Sequence, residues 1–445
     1  MTRVIRSTAI VLFASAAIAA FGSVRDGGSG EANAARQPSV QTVWLSPSGK
    51  DATCARASIA KPCATPARAW ALAQPGDTIQ VADGDYTSGC TLSGTKASDV
   101  TFTGSAAARF ICTLGFPSGA VHAVVNGISL YEVYTSGGSY VTIKNLAITC
   151  TDSAPYTLYA PGNKCNARFS LNGSASYWTF NNVVIGPTYD SSLCGNSGNT
   201  NFAPGLSNST FTRVTFKDSR YQAACGTGQH TENFYFQGPV SNVTFDSCTF
   251  SNGPNSGAVT GTGPADGSGP SSAGLLLTGS FTGLTIRNCV FVGPRTAIDG
   301  TIDATISNSD LINNTLTQGS YFQCDAAHCP GGYPTSFRII NNIGADQECM
   351  IGPALGSTGG YFHHNLWYYN DTGGTADKCD ASDLSENGTG IVNTIFANYA
   401  NGDFRLAAGS PAINAGDPTT FAATDHDGVS RPVGAFPDIG AYESG

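Results

Sequence analysis

A short motif recurs through the middle of this chain and limits what the chain can fold into. An aliphatic residue or Phe is followed two positions later by a polar residue, usually Asn, and five positions later by another apolar residue. The copies are Ile143-Asn145-Ile148, Phe180-Asn182-Ile185, Phe211-Arg213-Phe216, Phe245-Ser247-Phe250, Ile286-Asn288-Phe291 and Ile306-Asn308-Leu311. Each copy lies in a short stretch rich in β-branched residues, which predicts a strand, a bend at the polar residue and a second strand.

The spacing of these copies predicts a solenoid. Their first positions lie between 20 and 41 residues apart, and units of this size bury their apolar faces only by stacking on one another. Because each unit contains strands, the fold class is all-β, a single-stranded parallel β-helix. We expect the asparagines at positions 145, 182, 288 and 308 to stack at an inner bend and to hydrogen-bond from coil to coil.

The composition agrees with this fold and excludes one class of partner. The 445 residues include 54 Gly, and only 12% are charged, which is typical of a chain rich in turns and strands. A formal net charge of -9 gives no basic surface for nucleic acid. We therefore expect no nucleic-acid partner.

The N-terminus has the pattern of an export signal. Arg3 and Arg6 precede an apolar run over residues 9–20, too short to span a membrane stably. We predict a signal peptide at 1–22 and a disordered leader at 23–42, followed by a secreted chain that makes no membrane contact.

The fourteen cysteines fit an exported chain, where disulfides are the default. The chain contains no Cys-x-x-Cys pair, so we expect neither a zinc site nor a thioredoxin-like redox pair. Cys248 and Cys289 have equal offsets from their motif copies, and equal offsets on adjacent coils stack about 4.8 Å apart, within reach of a disulfide. We predict that each cysteine pairs with its next neighbour in sequence. The pairs are Cys54–Cys63, Cys90–Cys112, Cys150–Cys165, Cys194–Cys225, Cys248–Cys289, Cys324–Cys329 and Cys349–Cys379.

Both ends of the solenoid are predicted to be capped. Thr65 can N-cap a short helix that starts at Pro66, and the sequence after Gly76 predicts the first strand from Thr78. The predicted single domain spans 43–443. Its parts are an N-terminal cap with the first strand at 43–90, coils at 91–400 and an irregular C-terminal cap at 401–443.

The two ends and the repeats resemble secreted right-handed parallel β-helix proteins of the pectate-lyase-like superfamily. The N-terminal match covers residues 46–51 and 75–79, and the C-terminal match covers 409–413 and 438–443. The right-handed sense is implied by this resemblance and agrees with the usual hand of parallel crossovers. Polysaccharide lyases, glycoside hydrolases, epimerases and catalytically silent adhesins share the fold, so the resemblance alone does not identify the activity.

A lyase acting on an acidic polysaccharide is the activity we favour, in a groove along one face. Such an enzyme neutralises the substrate carboxylate and removes the adjacent proton with a base. The catalytic candidates are His230, Arg220 and Arg295, and the two arginines share an offset of nine from their motif copies. The substrate-binding candidates are Tyr189, Asp152, Lys217 and Glu232. Calcium is the one cofactor left open, because lyases of this superfamily use it, although no motif here demands it.

The candidate residues also allow structural roles, and the chain allows other functions. His230 could donate to a backbone carbonyl at a coil corner, and the arginines could cover strand edges. Asp218, Asp299 and Asp303 offer carboxylates for a hydrolase, but Asp is also a common turn residue. A non-catalytic carbohydrate-binding or adhesin-like scaffold is the other alternative. We expect a monomer whose partner is a polysaccharide. His363 and His364 could bind a metal, but the sequence shows no third ligand, so we predict no metal site.

Overall fold

The structure of the chain is a computed structural model that describes most residues from Ser39 onward. The described residues are 39–149, 164–186, 188–190, 201–217, 219–220, 232–251, 273–293, 296–300, 304–317, 320–323, 335–345, 361–370 and 378–445. Those from Val40 on belong to one compact unit. Within these ranges, no helix has the length and apolar character needed to cross a membrane.

Strands dominate the structure. The strands of the first half are β1 (Thr42–Leu45), β2 (Thr78–Val81), β3 (Gly84–Tyr86), β4 (Val100–Thr103), β5 (Ala108–Phe116), β6 (Gly119–Asn126), β7 (Ser129–Ser136), β8 (Gly138–Ile148), β9 (Lys164–Asn166), β10 (Arg168–Asn172), β11 (Ser176–Ile185), β12 (Thr188–Asp190), β13 (Asn201–Pro204), β14 (Ser207–Phe216), β15 (Ser219–Arg220) and β16 (Phe234–Gln237).

The strands of the second half are β17 (Val240–Asp246), β18 (Thr249–Ser251), β19 (Ala273–Thr278), β20 (Ser280–Arg287), β21 (Val290–Val292), β22 (Thr296–Gly300), β23 (Thr305–Ile312), β24 (Thr315–Leu316), β25 (Ser320–Gln323), β26 (Thr335–Ile340), β27 (Ile343–Ala345), β28 (Tyr361–His363), β29 (Leu366–Tyr369), β30 (Leu384–Asn387), β31 (Phe396–Asn398) and β32 (Asp403–Leu406). Two short helices are described, α1 (Pro66–Leu72) and α2 (Val392–Ile395), with a 3-10 turn at Tyr399–Asn401.

Three parallel sheets run along a right-handed coil, which confirms the predicted β-helix. Sheet A stacks β1, β2, β4, β6, β8, β11, β14, β17, β20, β23, β26 and β28 in that order. Sheet B runs from β3 through the second halves of β8, β11 and β14 to β18, β21, β24, β27, β29 and β30. Sheet C contains the second halves of β5 and β7, then β10, β13, β16, β19, β22 and β25.

The repeat motif marks the corner between sheets A and B, here named the AB corner. The polar residue of each motif has a positive φ, for example 53° at Asn145, 55° at Asn182 and 55° at Asn288. This left-handed conformation suits Asn, whose side chain can hydrogen-bond locally, better than most residues. The predicted strand–bend–strand unit is thereby confirmed, and the bend residue is explained by backbone conformation.

The asparagine ladder of the motif is confirmed in part and corrected in part. Asn182 donates to Asn145 at 3.0 Å, and Asn145 donates to Asn126 at 2.9 Å, so coil-to-coil bonds do form. However, Asn145 and Asn182 are exposed rather than turned to an inner bend. In the later coils, a buried ladder lies one residue after the residue of the AB corner.

This buried ladder uses side-chain oxygens to accept backbone amides from the preceding coil. The amide of Cys289 donates to Asn314, that of Asn314 to Asn342, and that of Asn342 to Asn365, each at 2.9 Å. The last rung is Asp383, which accepts the amide of Asn365 at 2.9 Å. Each rung satisfies a backbone donor that would otherwise be buried without a partner.

The motif copy at Ile306-Asn308-Leu311 lies at a different corner from the other copies. Ile306 pairs with Phe281, and Leu311 is the residue that pairs with Ile286, so Asn308 lies at the corner between sheets C and A. The residue at the AB corner of that coil is Asn313. Both corners place an Asn at positive φ five residues apart, which is why the two were indistinguishable by pattern.

The interior is filled by aromatic side chains stacked in register. Phe180 lies over Phe211 with ring centroids 4.9 Å apart, and Phe211 lies over Phe245 at 4.6 Å. A parallel column joins Phe216 to Phe250 at 4.8 Å. These separations equal the strand spacing, so each ring packs on its counterpart in the next coil.

The N-terminal cap forms as predicted, with one addition. The side chain of Thr65 accepts a hydrogen bond from the amide of Arg68 at the start of α1. Trp70, within this helix, is buried. The first strand is not the one at Thr78, because β1 already pairs with β2 in sheet A.

The C-terminal cap is irregular, as predicted, and it folds back along the AB corner. We call residues 410–423 the C-terminal strap. Asn341 donates to the carbonyl of Thr420 at 3.0 Å, and Asn313 accepts the amide of Ala422 at 3.0 Å. The strap therefore buries corner residues that are exposed in earlier coils.

The disulfide predictions have mixed outcomes. Cys54–Cys63 and Cys90–Cys112 are bonded, with Cα atoms 4.8 and 6.0 Å apart. Cys379 is also disulfide-bonded. The remaining predicted pairs, apart from Cys248–Cys289, include residues outside the described ranges.

The predicted Cys248–Cys289 bond is wrong, because both cysteines are buried free thiols. Their stacking is as expected, but equal offsets also point the two side chains in the same direction. Sγ of Cys248 lies next to the carbonyl of Phe211 on the preceding coil, and Sγ of Cys289 lies next to the amide of Cys248.

Candidate functional site

Sheet C carries a continuous row of register-paired residue positions, one per coil, which we name the sheet C row. It consists of Tyr134, Ser170, Phe202, Tyr235, Leu276, Asp299 and Gln323, each the register partner of the next. Neighbouring positions are separated by one strand spacing, so the row extends over roughly 29 Å.

Aromatic side chains are prominent in this row. Tyr134 is 41% exposed, and the rings of Phe202 and Tyr235 lie 5.2 Å apart. The hydroxyl of Tyr235 is 3.3 Å from that of Thr278 on the next strand. Flat apolar rings with polar neighbours suit the faces and hydroxyls of sugars.

One edge of sheet C also carries charge. Arg168, the first residue of β10, pairs with Glu132 at 3.3 Å, and Glu132 accepts the hydroxyl of Thr113 at 2.7 Å. Both members of the ion pair are partly exposed, at 22% and 17% of their side-chain surfaces. We call the connections from sheet B to sheet C the BC loops; they join β8 to β10, β11 to β13, β14 to β16, β18 to β19 and β21 to β22. They lead into this edge of sheet C.

A small separate sheet brings two of the predicted site residues together. β12 pairs in parallel with β15, so Tyr189 and Arg220 are direct register partners. β9 pairs antiparallel with β12 and places Asn166 opposite Thr188, two residues before Arg168. The backbones of Tyr189 and Arg220 therefore lie beside the edge of sheet C where Arg168 begins.

Buried asparagines fix this edge. Asn201 accepts the amide of Phe169 at 3.0 Å and donates to the carbonyl of Asn233 at 2.8 Å. Asn233 in turn donates to the carbonyls of Lys217 and Ser251 at 3.4 and 3.3 Å. These bonds connect three coils and hold the starts of the sheet C strands in a fixed register.

Lys217 and Glu232 flank this network but differ in exposure. Lys217 is exposed at the end of β14, where its amide bonds the carbonyl of Ile185 at 2.8 Å. Glu232 is only 1% exposed. Its prediction as a substrate contact stays a prediction.

The other predicted site residues lie outside the described ranges. These are His230, Arg295 and Asp152, together with the hydrolase candidates Asp218 and Asp303. Asp299 is described as a backbone position in the sheet C row.

Sequence reasoning missed the sheet C row, although a signal existed. In the stretch Phe234-Tyr235-Phe236-Gln237 the residues alternate between buried and more exposed. Period-2 alternation places Tyr235 on the outer face of a strand. The repeat motif drew attention to sheets A and B, and the sheet C strands have no comparable motif.

The three sheets and the capped ends define a right-handed parallel β-helix. Among solved structures, the chain is similar to pectate lyase Pel9A, with a TM-score of 0.53 and 16% identity over 91% of this chain and 96% of that one. XylC in complex with xylose also aligns, with a TM-score of 0.44 and 9% identity over 90% of this chain and 98% of that one. At these identities the likeness concerns the fold alone.

A third similar structure is the GH136 lacto-N-biosidase from Eubacterium ramulus, with a TM-score of 0.37 and 14% identity over 74% of this chain and 64% of that one. No protein-family model matches the chain. No curated protein matches it in sequence.

Proposed function

We propose that this chain binds a polysaccharide along the sheet C row and cleaves it beside the BC loops. The observation that carries the proposal is the row itself, in which Tyr134, Phe202 and Tyr235 place aromatic side chains at the first, third and fourth positions. Tyr189 and Arg220 lie beside its edge. The similarity of the fold to that of pectate lyase Pel9A agrees with a polysaccharide substrate.

The reaction we favour is β-elimination on an acidic glycan. Arg220 and Arg295 neutralise the uronate carboxylate, which acidifies the neighbouring C5 proton, and His230 removes that proton. The C4–C5 double bond forms as the bond from C4 to the glycosidic oxygen breaks, and the leaving oxygen takes a proton from water. Tyr189, Asp152 and Lys217 contact the sugar chain. The burial of Glu232 favours a supporting position under the site, next to the Asn233 network.

Calcium stays an open cofactor, and this proposal assigns no role to it. Within the described ranges, the one group of three ligating side chains that could hold a metal contains two histidines. Calcium prefers oxygen ligands, so this group does not fit it. No step is therefore assigned to calcium.

The proposal includes export of the chain, which acts as a monomer. The disulfides Cys54–Cys63 and Cys90–Cys112 are the chemistry of an oxidising compartment. The apolar run at residues 9–20 supports a cleaved export signal.

The test is the ultraviolet absorbance of unsaturated uronates. Oxidised protein is incubated with pectate, alginate, hyaluronan and heparosan, with and without calcium, beside His230→Ala. The matched control is His122→Asn, which removes a partly exposed histidine at the corner between sheets C and A, where other coils carry Asn208 and Asn242. We expect rising absorbance in wild type and His122→Asn and none in His230→Ala.

Two other results would change the assignment. New reducing ends without ultraviolet absorbance would indicate a hydrolase, for which Asp299 in the sheet C row is the first carboxylate to substitute. Saturable glycan binding without any product would indicate a binding scaffold.

A further inference from the structure

Two consecutive histidines near the end of the solenoid point to the same place. His363 ends β28, and His364 follows at the AB corner with a φ of 55°. Successive side chains of a strand point to opposite faces, but the left-handed conformation at His364 turns its ring back. The Nδ1 atoms of the two rings lie 3.0 Å apart.

The C-terminal strap supplies a third group at this position. The amide of Asp417 donates to Asn341 at 2.7 Å, which places the residue beside the AB corner. One carboxylate oxygen, Oδ1, accepts the amide and hydroxyl of Thr419 at 2.6 and 2.7 Å. The other, Oδ2, lies 3.1 Å from Nδ1 of His363.

The resulting triangle has the dimensions of a metal site. The three ligand atoms all lie within 4.8 Å of one another. Metal–nitrogen and metal–oxygen bonds of about 2.0–2.2 Å place adjacent ligands of a zinc ion roughly 3.3 Å apart. The measured edges of 3.0 and 3.1 Å are close to this value.

Hydrogen bonding between the three groups satisfies them less well than a cation does. Nδ1 of His363 is in contact with two neighbours, yet a ring nitrogen carries either one hydrogen or one lone pair. A cation at the centre accepts a lone pair from His363, His364 and Asp417 together. Asp417 is buried, whereas the side chain of His363 is 23% exposed, so an ion can enter from the histidine side.

We propose that His363, His364 and Asp417 bind one late first-row divalent cation, with Zn²⁺ as the best match. Two imidazoles and one carboxylate suit zinc, copper, iron or nickel better than calcium or magnesium. Three protein ligands leave a position for water. The ion joins the strap to the last coils of the solenoid, and this role is independent of any activity on polysaccharide.

The test uses the full mature chain without a polyhistidine tag, stripped with a chelator and then dialysed. Titration with Co²⁺ reports tetrahedral coordination by visible absorption, and Zn²⁺ binding is measured by calorimetry. We expect one equivalent of metal in wild type and a higher thermal midpoint with Zn²⁺ than with chelator.

The decisive variant is His364→Asn. Neighbouring coils carry Asn288, Asn313 and Asn341 at the same corner position, all at positive φ, so this substitution suits the backbone. We expect the variant to fold, to lose the equivalent of metal and to lose the zinc-dependent rise in thermal midpoint. His122→Asn is the matched control and should retain both.

Two results would overturn the proposal. One is a wild-type chain that holds less than one equivalent, and the other is a His364→Asn variant that binds as wild type does. Should His364→Asn fail to fold, Asp417→Asn decides instead, since an amide oxygen can still accept from Thr419 but is a poor zinc ligand. Unchanged binding in a folded Asp417→Asn variant would equally reject the site.

Discussion

The amide of Cys248 donates to Sγ of Cys289 at 3.3 Å, so the two free thiols stack on adjacent coils in one column. The thiol of Cys248 lies 3.2 Å from the carbonyl of Phe211 on the preceding coil. Cys289 accepts in the same position in which Asn314 and Asn342 accept farther along the ladder. The sulfurs therefore act as rungs of a backbone-satisfying ladder.

Both thiols should be inert in the folded protein. Burial raises the pKa of the Cys289 thiol, and Cys248 raises it further, so the reactive thiolate is disfavoured. We expect no alkylation of Cys248 or Cys289 by iodoacetamide at about pH 8 until the chain is unfolded, and full alkylation afterwards without reductant. Peptide mass spectrometry measures this. Cys54 and Cys63 should stay unlabelled throughout, and a linked Cys248–Cys289 peptide would contradict the structure.

The asparagine rungs should be costly to remove. Asn342 accepts the amide of Asn314 and donates to the carbonyl of Leu311, all in a fully buried position. Asn342→Ala leaves these groups without partners and should reduce the free energy of unfolding by about 3 kcal/mol. Urea denaturation measures the loss. Asn387→Ala, at an exposed site, should change stability by less than about 0.5 kcal/mol.

A buried carboxylate makes the N-terminal cap sensitive to acid. Asp77 accepts from Arg56 at 2.6 and 2.7 Å and from the amides of Gln41 and Gln74 at 2.8 Å each. Burial alone would raise the pKa of Asp77, but the hydrogen bonds from Arg56 and these amides hold it below its ordinary value. A lowered folded-state pKa gives stability that is present above the unfolded value of about 3.9 and is lost as the pH falls through the folded value.

Asp77→Asn should therefore destabilise the protein by about 2 kcal/mol at neutral pH, and by less in acid. Denaturation by urea at neutral pH and at pH values below about 4 measures the difference. A constant difference at all pH values would mean that the charge of Asp77 does not contribute. Asp403→Asn is the surface control, because its partner Arg405 is 65% exposed.

The sheet C row should contribute directly to glycan affinity. Tyr235 lies in the middle of the row and contacts Phe202. Tyr235→Ala should weaken binding of the glycan by about tenfold, the value of one aromatic contact of roughly 1.4 kcal/mol. Affinity electrophoresis or calorimetry measures it. Phe436→Ala removes an exposed aromatic side chain from the C-terminal cap and should leave affinity unchanged. Equal effects of the two variants would remove sheet C as the binding face.

The architecture was readable from the sequence because each of its elements is local. The repeat motif records a strand, a residue at positive φ and a second strand, as at Ile143, Asn145 and Ile148. The N-cap of α1 is equally local, since Thr65 and Pro66 act within one turn. Such features depend on backbone conformation within a few residues, which is what residue type controls most directly.

Tertiary structure alone decided the relationships between distant segments. The register of Asn308, the direction of the Cys248 and Cys289 side chains and the burial of the AB corner depend on how coils stack. Asp417 meets His363 because the C-terminal strap returns over coils formed much earlier in the chain. Loop lengths vary from coil to coil, so spacing along the sequence does not encode distance in space, and only the folded stack brings these groups together.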